Sequence, residues 1–296
     1  MSPTGPVSDA GVDTMAAVME RPENTMIAMD FDGTLAPIID DPEQAYADPA
    51  AVEALSRLGP HVGVIAVITG RPAETAVRLG GFQHRSGLER MVVLGQYGVE
   101  RWDAATDTFS IPPEPHEITQ VAQELPALLD ELGLQDVRLE HKGRAVGVHT
   151  RELDDSESAF DRLAEPLGEL AARHGLLIEP GKNVLEIRAP GVDKGGALRD
   201  LVAETGVRHV IFAGDDLGDL PAFRAVEQMR TEGVTGLLVC SASHEEDALT
   251  EASDLVVEGP TGVAQWLTRL AESLEARSGS KLPGRPATRL LRDMGR

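Results

Sequence analysis

Asp30 and Asp32, in the run MIAMDFDGTLAPI from Met26 to Ile38, are two carboxylates at the polar end of a short apolar stretch that Gly33 breaks. On an extended chain, residues two apart point to the same side, so both acids can converge on one reacting group. Such a pair can divide the chemistry of ester cleavage. Asp30, first off the strand, is placed to attack as a nucleophile, and Asp32 to give a proton to a leaving group and later take one from water. Taken alone, the stretch reads equally as a turn built from ordinary turn residues.

Three further stretches match it. An apolar strand over Val62 to Ile68 ends in Thr69-Gly70-Arg71-Pro72, where a hydroxyl, exposed backbone N–H groups and a helix start suit a phosphate. Asp193-Lys194-Gly195-Gly196 opens a helical pattern over Ala197 to Thr205, which puts a lysine near a helix N-terminus. The helix dipole disfavours a cation there unless it has an anion to hold. A third strand over Val210 to Ala213 runs into Gly214, Asp215, Asp216 and Asp219. Carboxylates crowded in this way raise one another's pKa and call for a cation, and hard oxygen ligands select Mg²⁺ over zinc or copper. Each stretch has a plainer reading too: a helix start, a loop with a solvated lysine, a turn with a capping acid. Their common position at strand ends is where ligands bind in open parallel sheets.

The ordered set Asp30 to Thr34, Thr69, Lys194 and Gly214 to Asp219 closely resembles the signature of the haloacid dehalogenase-like phosphohydrolases. The resemblance implies an aspartyl-phosphate mechanism, with Asp30 attacking phosphorus and Asp32 acting as acid and then base. It also implies Mg²⁺ held by Asp30, Asp215 and the backbone carbonyl of Asp32, with Asp216 or Asp219 acting through water. Thr69 and Lys194 would hold the phosphoryl oxygens, beside Gly70 and Arg71. The physical need is general, since a phosphate monoester dianion repels a carboxylate nucleophile and its transition state carries charge on the equatorial oxygens.

The elements that must position these residues fall into an expected α/β fold, a Rossmann-like parallel-sheet core over 25–112 and 189–275 with an inserted α+β cap over 113–188. Ile111-Pro112-Pro113-Glu114-Pro115 reads as the linker into the insertion, and Arg188-Ala189-Pro190-Gly191 as the return. Inside it, helical spacing over His116 to Leu132 and Ser156 to His174 alternates with two hairpins. The first, Val137 to His141 and Arg144 to Thr150, turns about Lys142-Gly143; the second, Leu176 to Glu179 and Asn183 to Arg188, turns about Pro180-Gly181-Lys182. This order predicts a four-stranded antiparallel sheet with two helices on one face, a cap able to exclude water and select the leaving group. His141 and His149 lie on the first hairpin without a third ligand spaced to complete a transition-metal site.

With 296 residues, 42% of them hydrophobic, the chain can bury a full core, and its net charge of −22 argues against nucleic acid and anionic membranes as partners. Cys240 is a lone cysteine in an apolar run, expected as a buried structural thiol. No stretch approaches membrane-spanning length, and the expected compartment is the cytoplasm. Residues 1–24 are expected as a flexible leader and 276–296 as a flexible basic tail, with six basic residues against one acid from Arg277 onward.

The insertion narrows the resemblance to the trehalose-6-phosphate phosphatases. It rests on the Lys-Gly turn followed by His149-Thr150-Arg151, on Gly181 to Arg188, on Asp193-Lys194-Gly195, on Gly95 to Glu100, and on the acidic loop ending in Pro221-Ala222-Phe223. The likeness runs from about Met26 to Leu270. It implies that Lys182 and Glu186 hydrogen-bond sugar hydroxyls, with Arg188 buttressing them or touching the substrate. From the residues alone, Lys182 reads equally as a solvated turn residue, and Glu186 with Arg188 as an ion pair on one strand face. Two departures stand out, Gln96-Tyr97 where the family usually has Asn-His, and Gly218 and Leu220 where it has a hydroxyl and a carboxylate. The expectation is hydrolysis of trehalose 6-phosphate with Mg²⁺, a separate trehalose-phosphate synthase being a candidate partner. The alternatives are a phosphatase for another sugar phosphate, such as sucrose 6-phosphate or a mannosyl-glycerate phosphate, and a non-catalytic sugar-phosphate sensor or synthase partner.

Overall fold

The computed structural model describes residues 8–181, 183–189, 193–242 and 247–280. In chain order the strands are β1 (Thr25–Met29), β2 (Val64–Ile68), β3 (Met91–Gly95), β4 (Glu100–Asp103), β5 (Thr108–Ser110), β6 (Arg138–His141), β7 (Ala145–His149), β8 (Leu177–Gly181), β9 (Val184–Arg188), β10 (His209–Gly214), β11 (Thr235–Ala242) and β12 (Leu255–Glu258). The α-helices are α1 (Asp9–Glu20), α2 (Pro49–Leu58), α3 (Ala73–Gly80), α4 (His116–Glu131), α5 (Ser156–Arg173), α6 (Lys194–Thr205), α7 (Leu220–Thr231), α8 (Asp247–Ala252) and α9 (Gly259–Ser280).

Eight strands form one sheet in the order β12-β11-β10-β1-β2-β3-β4-β5. The six from β12 to β3 run parallel, and β4 and β5 continue the edge antiparallel. The chain winds outward from β1 to β3 and later from β10 to β12, so the order reverses between β1 and β10. That reversal opens a crevice beyond the carboxyl ends of the two strands, which is where ligands bind in such sheets. β1, β2 and β3 are buried at every residue, which explains their continuous apolar runs. Alternate side chains serve opposite faces: Ile27, Met29, Ile65, Val67, Ile211 and Ala213 pack with α2 and α9, while Met26, Ala28, Ala66, Phe212 and Leu238 pack with α6 and α7. Cys240 is buried in the second of these layers.

Between β5 and α6 the chain builds a second sheet, antiparallel throughout, in the order β6-β7-β9-β8. Val146, Val148, Leu185 and Ile187 cover one face and pack with Ile118, Val121 and Leu125 of α4 and Leu163, Leu167 and Leu170 of α5. Both helices therefore lie on that face. The alternate residues, including Glu140, Glu186, Arg188 and Glu179, face the other way, Glu186 standing between Gly147 and Glu179 across the sheet.

One expectation needs correction: residues 9–20, assigned to a flexible leader, form α1. Ser8 caps its start, Gly11, Thr14 and Val18 are buried along one stripe, and the Thr14 hydroxyl donates to the Gly236 carbonyl at 2.6 Å. Small and hydroxylated residues make this buried face, so the segment reads as polar although it packs. At the other end, α9 continues through Ser280, and Arg277 donates to the Glu20 carbonyl at 3.0 Å. Residues 281–296 of the expected tail lie outside the described residues. No helix among the described residues is long and apolar enough to cross a membrane.

Candidate active site

β1 delivers Asp30 to the crevice, where its N–H still donates to the Ala213 carbonyl of β10 at 2.9 Å. The side chain of Phe31 is fully buried, edge-on to Phe82, so the acids on either side of it turn outward. Gly33 then reverses the chain with φ +71°, and a Cβ there would fall 1.9 Å from Oδ2 of Asp215. Only glycine fits both the backbone and that approach. The buried Thr34 hydroxyl donates to Oδ1 of Asp215 at 3.4 Å, and Ser241 donates to the Gly33 carbonyl at 2.7 Å. The Asp30-to-Thr34 turn is thereby fastened to β10 and β11.

Carboxylate oxygens of Asp30, Asp215 and Asp219 lie within 4.8 Å of one another, all three residues buried. The Lys194 ammonium, at the first turn of α6, stands 2.8 Å from Asp30 and 2.8 Å from Asp219. Asp219 also accepts from the Asp215 N–H at 2.9 Å, and Gly214 leaves room for it, since a Cβ there would lie 2.4 Å from the Asp219 carboxyl. Asp216, expected among the ligands, is exposed and caps the following turn by accepting from Gly218 at 2.9 Å. Burial, then the neighbouring acids, hold Asp30 well above the usual carboxylate range and push Asp215 up to about 10. Burial opposes the Lys194 charge, but Asp219 and Asp30 outweigh it and raise its pKa. Fully ionised, the three carboxylates would exceed the one ammonium by two negative charges, and without a cation the raised pKa values of Asp30 and Asp215 express that repulsion. A hard divalent cation matches that deficit and that all-oxygen donor set.

The exits of β2 and β3 form the neighbouring wall. Thr69 is buried, with its hydroxyl accepting from the Arg71 N–H at 3.2 Å. Arg71 grips Asp32 through two bonds of 2.6 Å and donates to the Pro42 carbonyl at 2.8 Å. Asp32 thus stands apart from the buried acidic trio, held by a guanidinium expected to meet substrate. Glu100 of β4 fixes the start of α3 by accepting from Ala73 N–H at 2.7 Å.

Opposite lies the polar face of the second sheet, across a cavity of about 500 Å³ lined by Asp30, Asp32, Thr69, Gly70, Arg71 and Lys194 on one side and Glu140, His141, Lys142, His149 and Arg151 on the other. Glu186 is buried and paired with the Lys142 ammonium. The Tyr97 hydroxyl donates to Glu186 at 3.4 Å, and burial, then Glu186, raise the pKa of that phenol, which keeps its proton. Glu140 accepts from His149 at 2.7 Å, a bond that lowers its pKa to about 2. Arg188 pairs with Glu179 and lies 5.1 Å over the Tyr97 ring. Lys182, expected to meet sugar hydroxyls, lies outside the described residues. In the sequence, Lys142 marks only a turn and Tyr97 only a departure from the family pattern. Lys142 lies two residues past Glu140, which stands in line with Glu186 across the sheet, a register legible only once the strands are paired.

The sequence profile described as trehalose-phosphatase matches residues 28–256. The chain belongs to the trehalose-phosphatase family. A trehalose-phosphate phosphatase of Mycobacterium avium (strain 104) is 31% identical over 265 residues, covering 86% of this chain and 63% of that relative. The chain thus spans less than two thirds of the length of this curated relative. In fold, this family member is similar to the C-terminal domain of a C. albicans trehalose-6-phosphate phosphatase, with a TM-score of 0.72 at 18% identity over 90% of this chain and 98% of that one. A haloacid dehalogenase-like hydrolase from Bacteroides thetaiotaomicron shares the fold with a TM-score of 0.56 at 17% identity, over 83% of this chain and 99% of that one.

Proposed function

We propose that the chain is a Mg²⁺-dependent phosphatase that hydrolyses trehalose 6-phosphate to trehalose and phosphate. The observation that carries this reading is the buried trio of Asp30, Asp215 and Asp219 around Lys194, facing a cavity whose far wall presents Glu140, Lys142 and His149. Family membership over residues 28–256 supplies the substrate class. Asp30, Asp215, the Asp32 carbonyl and Asp219 are the groups that would hold Mg²⁺, with Asp216 at the rim. Bound there, the ion offsets the negative charge of the phosphoryl group and of the acids around it.

Asp30 attacks phosphorus, forming an Asp30–phosphorus ester as the bond from phosphorus to the sugar oxygen breaks. Asp32 gives its proton to that departing oxygen. In the second half, water attacks phosphorus, Asp32 takes the water's proton, and the bond to Asp30 breaks to release phosphate. Thr69, the Gly70 N–H and Lys194 hold the phosphoryl oxygens, and Arg71 transfers its guanidinium from Asp32 to the phosphate as substrate enters. Residues 113–188 act as the cap, where Glu186 and Lys182 meet sugar hydroxyls and Arg188 buttresses them through Glu179 and Tyr97.

The test is phosphate release from trehalose 6-phosphate beside glucose 6-phosphate, sucrose 6-phosphate and an aryl phosphate, with Mg²⁺ and with EDTA. Metal-dependent preference for trehalose 6-phosphate is the expected result. Preference for another sugar phosphate would retain the core chemistry and overturn the substrate. Absence of turnover with intact ligand binding would favour a sensor.

A further inference from the structure

Gln96 and Tyr97 carry the chain from β3 toward β4 with φ of 48° and 60°, consecutive left-handed residues neither of which is glycine. L residues hold such a conformation only where their surroundings over-determine it, and these positions cluster at working sites. On one side the corner is tied to the loop after β2: Gln96 N–H donates to the Arg71 carbonyl and Tyr97 N–H to the Thr69 carbonyl, each at 2.9 Å. On the other it is tied to the four-stranded sheet, the Gln96 amide donating to the Lys142 carbonyl at 2.9 Å and the Tyr97 hydroxyl to Glu186. The Tyr97 ring fills the space above Gly70, where a Cβ would come within 2.9 Å of its hydroxyl oxygen, and the Arg188 guanidinium covers it. One strained corner therefore touches both the loop that suits a phosphate and the carboxylate that suits a sugar.

We infer that Gln96 and Tyr97 are positioning residues that set the spacing between the phosphate loop, Thr69 to Arg71, and Glu186, and so help decide which phosphate esters are cleaved. The inference rests on the functional reading above and adds to it a determinant of selectivity. A sugar phosphate holds its phosphate and its hydroxyls at a fixed separation, so both ends engage only if the protein matches that separation. Tyr97 donates to Oε1 of Glu186 while Lys142 holds Oε2, which fixes the carboxylate's orientation as well as its distance. A small aryl phosphate reaches only the phosphate loop and is indifferent to this spacing.

The experiment compares kcat/KM for the sugar phosphate that the wild-type protein prefers with kcat/KM for 4-nitrophenyl phosphate. Tyr97→Phe deletes one hydroxyl and keeps the ring. It should lower the sugar-phosphate value by about threefold to tenfold, the weight of one hydrogen bond, and move the aryl value by less than about twofold. In a Glu186→Leu background, which has no acceptor for the Tyr97 hydroxyl, the same substitution should have no further effect on the sugar phosphate. Gln96→Asn keeps a residue that tolerates the left-handed conformation but withdraws the amide from Lys142, and should show the same selective loss. Equal loss on both substrates, no loss on either, or an undiminished effect in the Glu186→Leu background would overturn the inference. A wild-type protein that prefers no sugar phosphate over the aryl ester overturns the functional reading itself, and the inference with it.

Discussion

Substituting Gly33 by alanine isolates the fit between the first acidic turn and Asp215. At φ +71° an alanine pays roughly 1–2 kcal/mol for its left-handed backbone. The new methyl would also lie 1.9 Å from Oδ2 and 2.2 Å from Cγ of Asp215, about 1.5 Å short of ordinary contact. The atoms it meets all belong to the Asp215 carboxylate, which therefore has to move, and displacement by about 1 Å near reacting groups costs on the order of 10²-fold in rate. Gly81, just past α3, supplies the control. It has φ +59°, and a Cβ there meets nothing within 4 Å, so Gly81→Ala pays the backbone cost alone. Thermal melts with and without Mg²⁺, together with kcat on the preferred phosphate ester, separate the two effects. Gly81→Ala should lower Tm by about 2–8 °C and keep its activity and its Mg²⁺-dependent rise in Tm. Gly33→Ala should lose at least about 10²-fold in kcat and most of that rise. Equivalent behaviour of the two variants would refute the claim that Gly33 is there to make room for Asp215.

Three other outcomes follow from the same geometry. Lys194→Met should reduce kcat by about 10²- to 10³-fold and lower Tm, because it strands Asp30 and Asp219 without their shared ammonium; a variant with near-normal steady-state rates would remove Lys194 from the chemistry. Asp215, held near 10 without a cation, keeps a proton in the folded state that it loses on unfolding at neutral pH. That contribution is fully present below the unfolded carboxylate value and is lost as pH rises toward 10, so EDTA-treated protein should melt lower at pH 8.5 than at pH 6.5 and Mg²⁺ should stabilise it more at the higher pH; titration in buffers of different ionisation enthalpy should also register proton release on Mg²⁺ binding. Glu140 works in the opposite direction: lowered to about 2 by its bond from His149, it contributes stability above the unfolded glutamate value that is lost as pH falls toward 2, and Glu140→Gln should flatten the acid limb of a Tm profile between about pH 4.3 and 2.

What the chain reveals on its own is what depends on near neighbours. Apolar runs ending in Asp30, Thr69 and Asp215 fix three strands and their polar exits, because a run of five or six buried residues followed by glycine and acids has few other physical solutions. The alternation of helical and period-two patterns from His116 to Arg188 likewise predicts the helix-hairpin-helix-hairpin order of α4 to β9. Even locally, α1 leaves no clear apolar pattern, since its buried stripe is Gly11, Thr14 and Val18 rather than a row of large apolar side chains.

Only the folded chain decides which distant groups meet. Asp215, Asp216 and Asp219 are equivalent in sequence, but the turn after β10 sends Asp219 back against Gly214 and leaves Asp216 as an exposed cap. Arg71 reaches Asp32, 39 positions away, because β1 and β2 pair side by side. Tyr97 and Lys142 reach Glu186 through a register set when β6, β7 and β9 align and their sheet settles over the β3 exit. Periodicity carries information about a residue's own strand or helix, whereas the partners of Asp32 and Glu186 are fixed by strand order and sheet placement, which the hydrophobic cores select as a whole.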